Sequence, residues 1–151
     1  MDDKYIYLEC IVLYQEEVLL VDMMHNNTIR TCFPIKEREI GESKLQAAIR
    51  ICYELTGVIV TQSDYVNELK SRPLNTKIGN SEVSNGTIYT LVFRIKDKQK
   101  IEVLDSSIKK AYFMRLSQLS DKKITKNLIG VINDLKEIGG NNYDRISNKN
   151  E

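Results

Sequence analysis

Tyr5 to Tyr14 (YIYLECIVLY) is apolar at odd and even positions alike, broken chiefly by Glu9. A strand with one wet face would alternate, so this pattern predicts a central strand covered on both sides. Gln15-Glu16-Glu17 interrupts it, and Val18 to Met24 (VLLVDMM) reads as the returning strand of a hairpin. His25-Asn26-Asn27-Thr28 is a turn, since Asn tolerates positive φ, and Ile29 to Pro34 is a short strand that stops at its proline. The period then changes. Leu45, Ala48, Ile49, Cys52 and Leu55 share one face at helical spacing, which predicts a helix from Ser43, its N-cap, to Thr56, with Gly57 as the left-handed residue beyond it.

Val58 to Lys70 reads as extended, and the polar, turn-rich residues 72 to 86 as a loop or irregular hairpin able to move. Thr87 to Lys96 and Lys110 to Met114 are expected strands. Ile124, Leu128, Val131, Ile132, Leu135 and Ile138 mark a second amphipathic helix that stops at Gly139-Gly140. Strands, helix, strands, helix is the order of an α+β domain with a mixed sheet sandwiched between helices. Residues 1–140 form one such domain in this reading, and 141–151 a frayed tail with little to bury.

Composition narrows the possibilities only by exclusion. The 151 residues suffice for one core without disulfide or structural metal, and a net charge of +1 offers nothing to a nucleic-acid polymer. Three cysteines, Cys10, Cys32 and Cys52, are far apart and form no CxxC pair. The start lacks a signal peptide and no apolar run could span a membrane, so a reduced, cytoplasmic protein is expected.

Chemistry concentrates in Phe33 to Val58, FPIKEREIGESKLQAAIRICYELTGV. Laid against G-x5-E-x7-R-E-U-x-E-E-x-G-U (U, a bulky aliphatic), the fixed positions fall on Lys36, Glu42, Arg50, Ile51, Glu54, Leu55 and Gly57. Glu42, Arg50, Glu54 and Gly57 match. Phe33-Pro34, Glu39, Gly41 and Ala47 are also common around this motif, and AYFMRLSQLSD resembles the strand and polar turn before the last helix. The segment thus resembles a degenerate box of the Nudix (MutT-like) hydrolases. That resemblance implies an α/β/α sandwich with a loop-helix-loop at residues 34–60.

Nudix hydrolases cleave diphosphate-linked compounds with Mg²⁺ or Mn²⁺ held by carboxylates along one helix edge, the ions neutralising phosphate charge and activating water. Here the edge at i, i+3 and i+4 is Ile51, Glu54 and Leu55, so two of its three acids are gone. By resemblance Glu54 and Arg50 are the catalytic candidates, and Glu54, Glu42 and Glu39 the ligands of any active metal site. Glu37 and Glu68 are acids that could approach Glu54 from outside the edge. Lys36 stands where a metal-facing glycine is usual, so Lys36 and Arg38 are candidates to meet a phosphate directly. Taken singly, each residue has a plain structural role: Arg50 and Glu54 are an i, i+4 pair, Glu42 suits a helix start, and Lys36-Glu37-Arg38-Glu39 is an ordinary charged loop.

Three functions stay open on these residues. They are a binder of a nucleotide or other phosphorylated small molecule with an impaired metal site, an active hydrolase with atypical ligands, and an unrelated α+β interaction domain. Many Nudix proteins dimerise, so the resemblance also allows a homodimer. Tyr89, Phe93, Tyr112 and Phe113 could stack on a base but are more naturally core, and His25, in an Asn-rich turn, is a poor general base.

Overall fold

The computed structural model describes residues 5–25, 27–78 and 81–121. Its elements in chain order are β1 (Ile6–Tyr14), β2 (Glu17–His25), β3 (Thr28–Cys32), β4 (Ile35–Glu37), α1 (Lys44–Thr56), β5 (Tyr65–Glu68), β6 (Arg72–Ile78), β7 (Ser81–Arg94) and β8 (Ile108–Arg115). Short 3-10 turns cover Gln62–Asp64 and Leu116–Asp121. The strands form one sheet with the path β3-β2-β1-β7-β5, β4 pairing with β1, β6 with β7 and β8 with β2. β1 and β7 run parallel, and every other described pair is antiparallel. The sheet is therefore mixed, and α1 lies on one face of it.

The central place of β1 explains its lack of alternation. Leu8, Cys10 and Val12 enter the cluster beneath α1, together with Leu91 and Phe93 of β7. Ile11 and Leu13 enter a second cluster on the opposite face, with Phe33, Val92 and Leu119. Period-2 geometry puts Glu9 on that opposite face as well. It is 3% exposed, its Oε1 accepting a 2.7 Å hydrogen bond from the Thr90 hydroxyl and lying 3.1 Å from Arg72 Nη2.

α1 is built as its termini imply. The Ser43 hydroxyl accepts from the Gln46 N–H at 3.1 Å, and the Gln46 side chain accepts from the Ser43 N–H at 2.9 Å, a reciprocal capping box. At the other end Gly57 has φ +77° and its N–H reaches the Tyr53 carbonyl at 2.8 Å. A Cβ there would fall 2.6 Å from the Glu102 carbonyl oxygen. Glu102 in turn donates its N–H to Thr56 O at 2.8 Å, so the segment before β8 lies against the end of α1.

Two expectations change, and one open alternative is resolved. Residues 35–37 are a strand rather than part of a charged loop, because Lys36 and its neighbours pair with Tyr7–Glu9 of β1. Of the two forms expected for residues 72–86, the hairpin is found: β6 and β7 pair from Arg72↔Ile88 to Ile78↔Ser81, with a register shift between Leu74 and Asn75. Ile51 is fully buried in the cluster beneath α1, although the periodicity placed only Leu45, Ala48, Ile49, Cys52 and Leu55 on the core face. Leu45 and Ile49 are half-buried against the same cluster. The predicted helix at 124–138 and the tail at 141–151 lie outside the described residues. Among the described helices none is long and apolar enough to cross a membrane.

Replacing Gly57 by alanine should lower stability by roughly 1 to 3 kcal/mol, because a side chain would have to sit at positive φ against backbone. Urea unfolding of Gly57→Ala measures this directly. A variant as stable as the parent would show that the Glu102 segment does not sit where described.

Candidate functional site

The box residues converge where β4, the loop before α1, the exposed edge of α1 and the segment before β8 meet. Lys36 is the middle residue of β4; its Cα partner on β1 is Leu8, which turns its side chain toward the α1 side of the sheet. Its Nζ lies 3.1 Å from Glu54 Oε1 and 3.5 Å from Asp105 Oδ2. Glu54 Oε1 also accepts from Arg50 Nη1 at 2.9 Å. Arg50 clamps Glu42 in a fork, Nε to Oε2 at 2.7 Å and Nη2 to Oε1 at 2.9 Å, and donates through Nη2 to the Glu37 carbonyl at 3.3 Å. Glu39 stands 3.9 Å from Arg50 Nη1 and gives its N–H to Glu42 Oε1 at 2.9 Å. All the carboxylates and cations named for this region except Arg38, Glu37 and Glu68 therefore belong to one ion network.

Arg50 makes the expected i, i+4 pair with Glu54 and, in addition, the fork onto Glu42. Arg50 and Glu42 side chains are only 20% and 19% exposed. A bidentate guanidinium–carboxylate contact of this burial contributes roughly 1 to 3 kcal/mol, above an ordinary surface pair. The hydrogen bonds from Arg50 hold the Glu42 carboxyl below the usual carboxylate range, and Glu42 correspondingly raises the Arg50 guanidinium. Hydrogen bonding to Glu54 raises the Lys36 ammonium. Asp105 is lowered first by the Ser107 hydroxyl and N–H, at 2.7 and 2.9 Å, and then by Lys36.

The rest of the helix edge carries no chemistry. Ile51 is 0% exposed and Leu55 1%, both packed among Ala47, Ala48, Cys52 and Val58. The positions that would bear two metal-binding acids are filled with core hydrocarbon, each side chain stabilising the fold by roughly 1.5 to 3 kcal/mol through burial. Among the described residues no group of three or more His, Cys, Asp or Glu is arranged to hold a metal ion. Mg²⁺ keeps several waters and takes one or two carboxylates that are free to coordinate it. The residues present do not fit that ion, since Glu54 is shared by two cations and its flanking positions are closed.

An open cavity of about 210 Å³ is lined by Lys36, Glu54, Leu104 and Asp105. Asp105 was not apparent from sequence as a site residue; only its neighbourhood, Asp-Ser-Ser, gave a signal, as the start of a side-chain-capped turn. Glu9 was visible only as the one acid in an apolar strand. Glu68 is not brought to Glu54. It pairs with Lys44 at 3.1 Å, near the first turn of α1 and about 15 Å along the axis from residue 54. Arg38 gives its N–H to the Ile6 carbonyl at 2.8 Å, extending the β4–β1 pairing by one residue.

The other candidates take structural places. Phe93 is core, Tyr89 lies beneath Lys44 with the ammonium 4.0 Å from its ring centre, Tyr112 donates to Asp22 at 2.9 Å, and Phe113 meets Tyr14 edge-on. Burial pushes the Cys32 and Cys52 thiols up to about 12 and raises Cys10 well above its ordinary value, so none of the three is a ready nucleophile. The side chain of His25 lies outside what is described.

No protein-family model matches the chain, and no curated protein is similar to it at a significant level. Solved structures are. The Nudix domain of Shewanella oneidensis NrtR, complexed with ADP ribose, superposes with a TM-score of 0.68 at 16% identity, covering 91% of this chain and 89% of that one. An Ap4A hydrolase of C. elegans gives 0.65 at 11% identity over 91% and 98% of the two chains. The MutT protein of Methanosarcina mazei Go1 gives 0.64 at 14% identity over 91% and 94%. At such identities the likeness establishes the fold, and that fold is the Nudix α/β/α sandwich.

Two predictions follow from the geometry. Restoring acid with Ile51→Glu should cost at least about 3 kcal/mol of stability at neutral pH, because the carboxylate would be buried without a partner. Denaturant melts of Ile51→Glu that match the parent would show the edge to be open. Glu42, with its pKa lowered on folding, adds stability that is complete above its ordinary value of 4.5 and is lost as the pH falls below that toward the folded value. Glu42→Gln should therefore be less stable than the parent at neutral pH, and the gap should narrow below pH 4.5; thermal melts across that range test the slope.

Proposed function

We propose that this chain is a Nudix-fold protein that binds a nucleotide or another phosphorylated small molecule without a divalent metal and hydrolyses it weakly or not at all. The observation that carries this reading is the burial of Ile51 and Leu55, at 0% and 1% exposure, on the helix edge where the box would place acids. Diphosphate hydrolysis asks a cation for two services, neutralising phosphate charge and lowering the pKa of an attacking water. An ammonium can give the first and not the second. Lys36 has three N–H donors; Glu54 and Asp105 take two directions, which leaves one for a phosphate oxygen at the mouth of the cavity. Arg38, two residues on, is the second cation of the proposed phosphate site.

ADP-ribose and a dinucleoside polyphosphate are the first ligands to try, being named for structures that share this fold. Specificity is assigned in this proposal to the β6–β7 hairpin, as loops and arms outside the box differ most freely between proteins of one fold. Arg50, Glu42 and Glu54 then serve as the frame that holds β4 and α1 together around the ligand.

A panel of diphosphate compounds containing ADP-ribose and Ap4A should release no phosphate or nucleoside monophosphate above background with Mg²⁺ or Mn²⁺. Calorimetry with the same panel in EDTA should find at least one binder, weakened roughly tenfold by Lys36→Ala with Arg38→Ala. Metal-stimulated turnover that disappears in Glu54→Gln would overturn the proposal in favour of an active hydrolase.

A further inference from the structure

We infer that Lys36 is a tethered stand-in for a metal ion, and that its ammonium keeps divalent cations out of a two-carboxylate site formed by Glu54 and Asp105. This rests on the metal-free reading above and adds Asp105, a residue outside the box, together with a role for Lys36 toward cations. Three observations carry it. The ammonium bridges the two carboxylates at 3.1 and 3.5 Å, the geometry of a shared cation. A cavity of about 210 Å³ lies against these groups, room for an ion with several waters. The two acids are fixed independently of the lysine, Glu54 by Arg50 Nη1 at 2.9 Å and Asp105 by the Ser107 hydroxyl and N–H at 2.7 and 2.9 Å.

Charge counting shows what the lysine does. Lys36 and Arg50 against Glu39, Glu42, Glu54 and Asp105 is two positive charges against four negative, a balance of −2. Without Lys36 it is one against four, or −3. The acids would then face each other across the cavity with no counter-ion on their shared side. Mg²⁺ and Mn²⁺ are commonly held by one or two carboxylates and complete their shells with water. Ile51 and Leu55 do not enter this arrangement, so it is a different site from the helix edge that those residues close.

Lys36 is 44% exposed at its side chain, so its truncation leaves the core untouched. Mn²⁺ binding is read by the loss of the free-ion electron paramagnetic resonance signal, with Mn²⁺ itself as the probe. The parent should leave the signal of added Mn²⁺ unchanged, whereas Lys36→Ala should bind it at least about tenfold more tightly, a like charge having been removed from contact distance. That gain should vanish when Glu54→Gln or Asp105→Asn is added. Lys36→Ser, with thermal melts of every variant, separates loss of the site from loss of the fold. If folded Lys36→Ala and Lys36→Ser bind no more Mn²⁺ than the parent, or if the gain survives both acid substitutions, the inference is wrong while the metal-free reading stands. Tight binding by the parent overturns both.

Discussion

The seam between α1 and the sheet is the constraint on which the rest depends. Ala47, Ala48, Ile51, Cys52 and Leu55 meet Leu8, Cys10 and Val12 of β1 and Leu91 and Phe93 of β7. A helix can present only one broad stripe to a sheet, and here the stripe is widened by a full residue column at Ile51. The helix is thereby seated with Arg50 and Glu54 at its margin. Everything polar in the site follows from that seat. Arg50 can fork onto Glu42, Glu54 falls within reach of β4, and Lys36 finds an acid waiting on the helix side.

The same seat sets what kind of electrostatics the site can have. Water reaches Glu54 and Lys36, at 37% and 44% side-chain exposure, so their attraction is screened and modest. Arg50 and Glu42 are more enclosed and hold each other in a fixed fork, which makes them a girder between the loop and the helix. The phosphate site proposed above would draw on this pairing of a fixed guanidinium with a looser ammonium.

Much of this was legible in the residues. The helix with its cap and stop, the two-faced β1 and the hairpin of β1 with β2 are local patterns, and short-range signals specify them. Three features were not legible, each for a physical reason. Ile51 read as a lost ligand because motif register says which position a residue occupies but not which way the helix is rolled. The strand at residues 35–37 has no period of its own and exists because β1 offers it an open edge. Asp105 and Glu9 depend on contacts 69 and 81 residues away in sequence, with Lys36 and Thr90, which no window along the chain can reveal. The charged segment Lys36-Glu37-Arg38-Glu39 is the instructive case, a plausible solvated loop by composition whose first two residues are strand by pairing.

The parallel pairing of β1 with β7 has a consequence for how the molecule comes to exist. Ile6 lies beside Thr87 and Leu13 beside Arg94, so the middle of the sheet joins the first described strand to one made some eighty residues later. Closing a loop of that length costs chain entropy before any hydrogen bond repays it, and pairings of such separation slow folding. During synthesis β1 emerges early, apolar on both faces, and waits for its central neighbour until Ser81–Arg94 has been made. Until then the hairpin with β2 can shelter one edge of β1, and the other edge stays open. The strand that gives this fold its centre is thus its greatest hazard while the chain is being born.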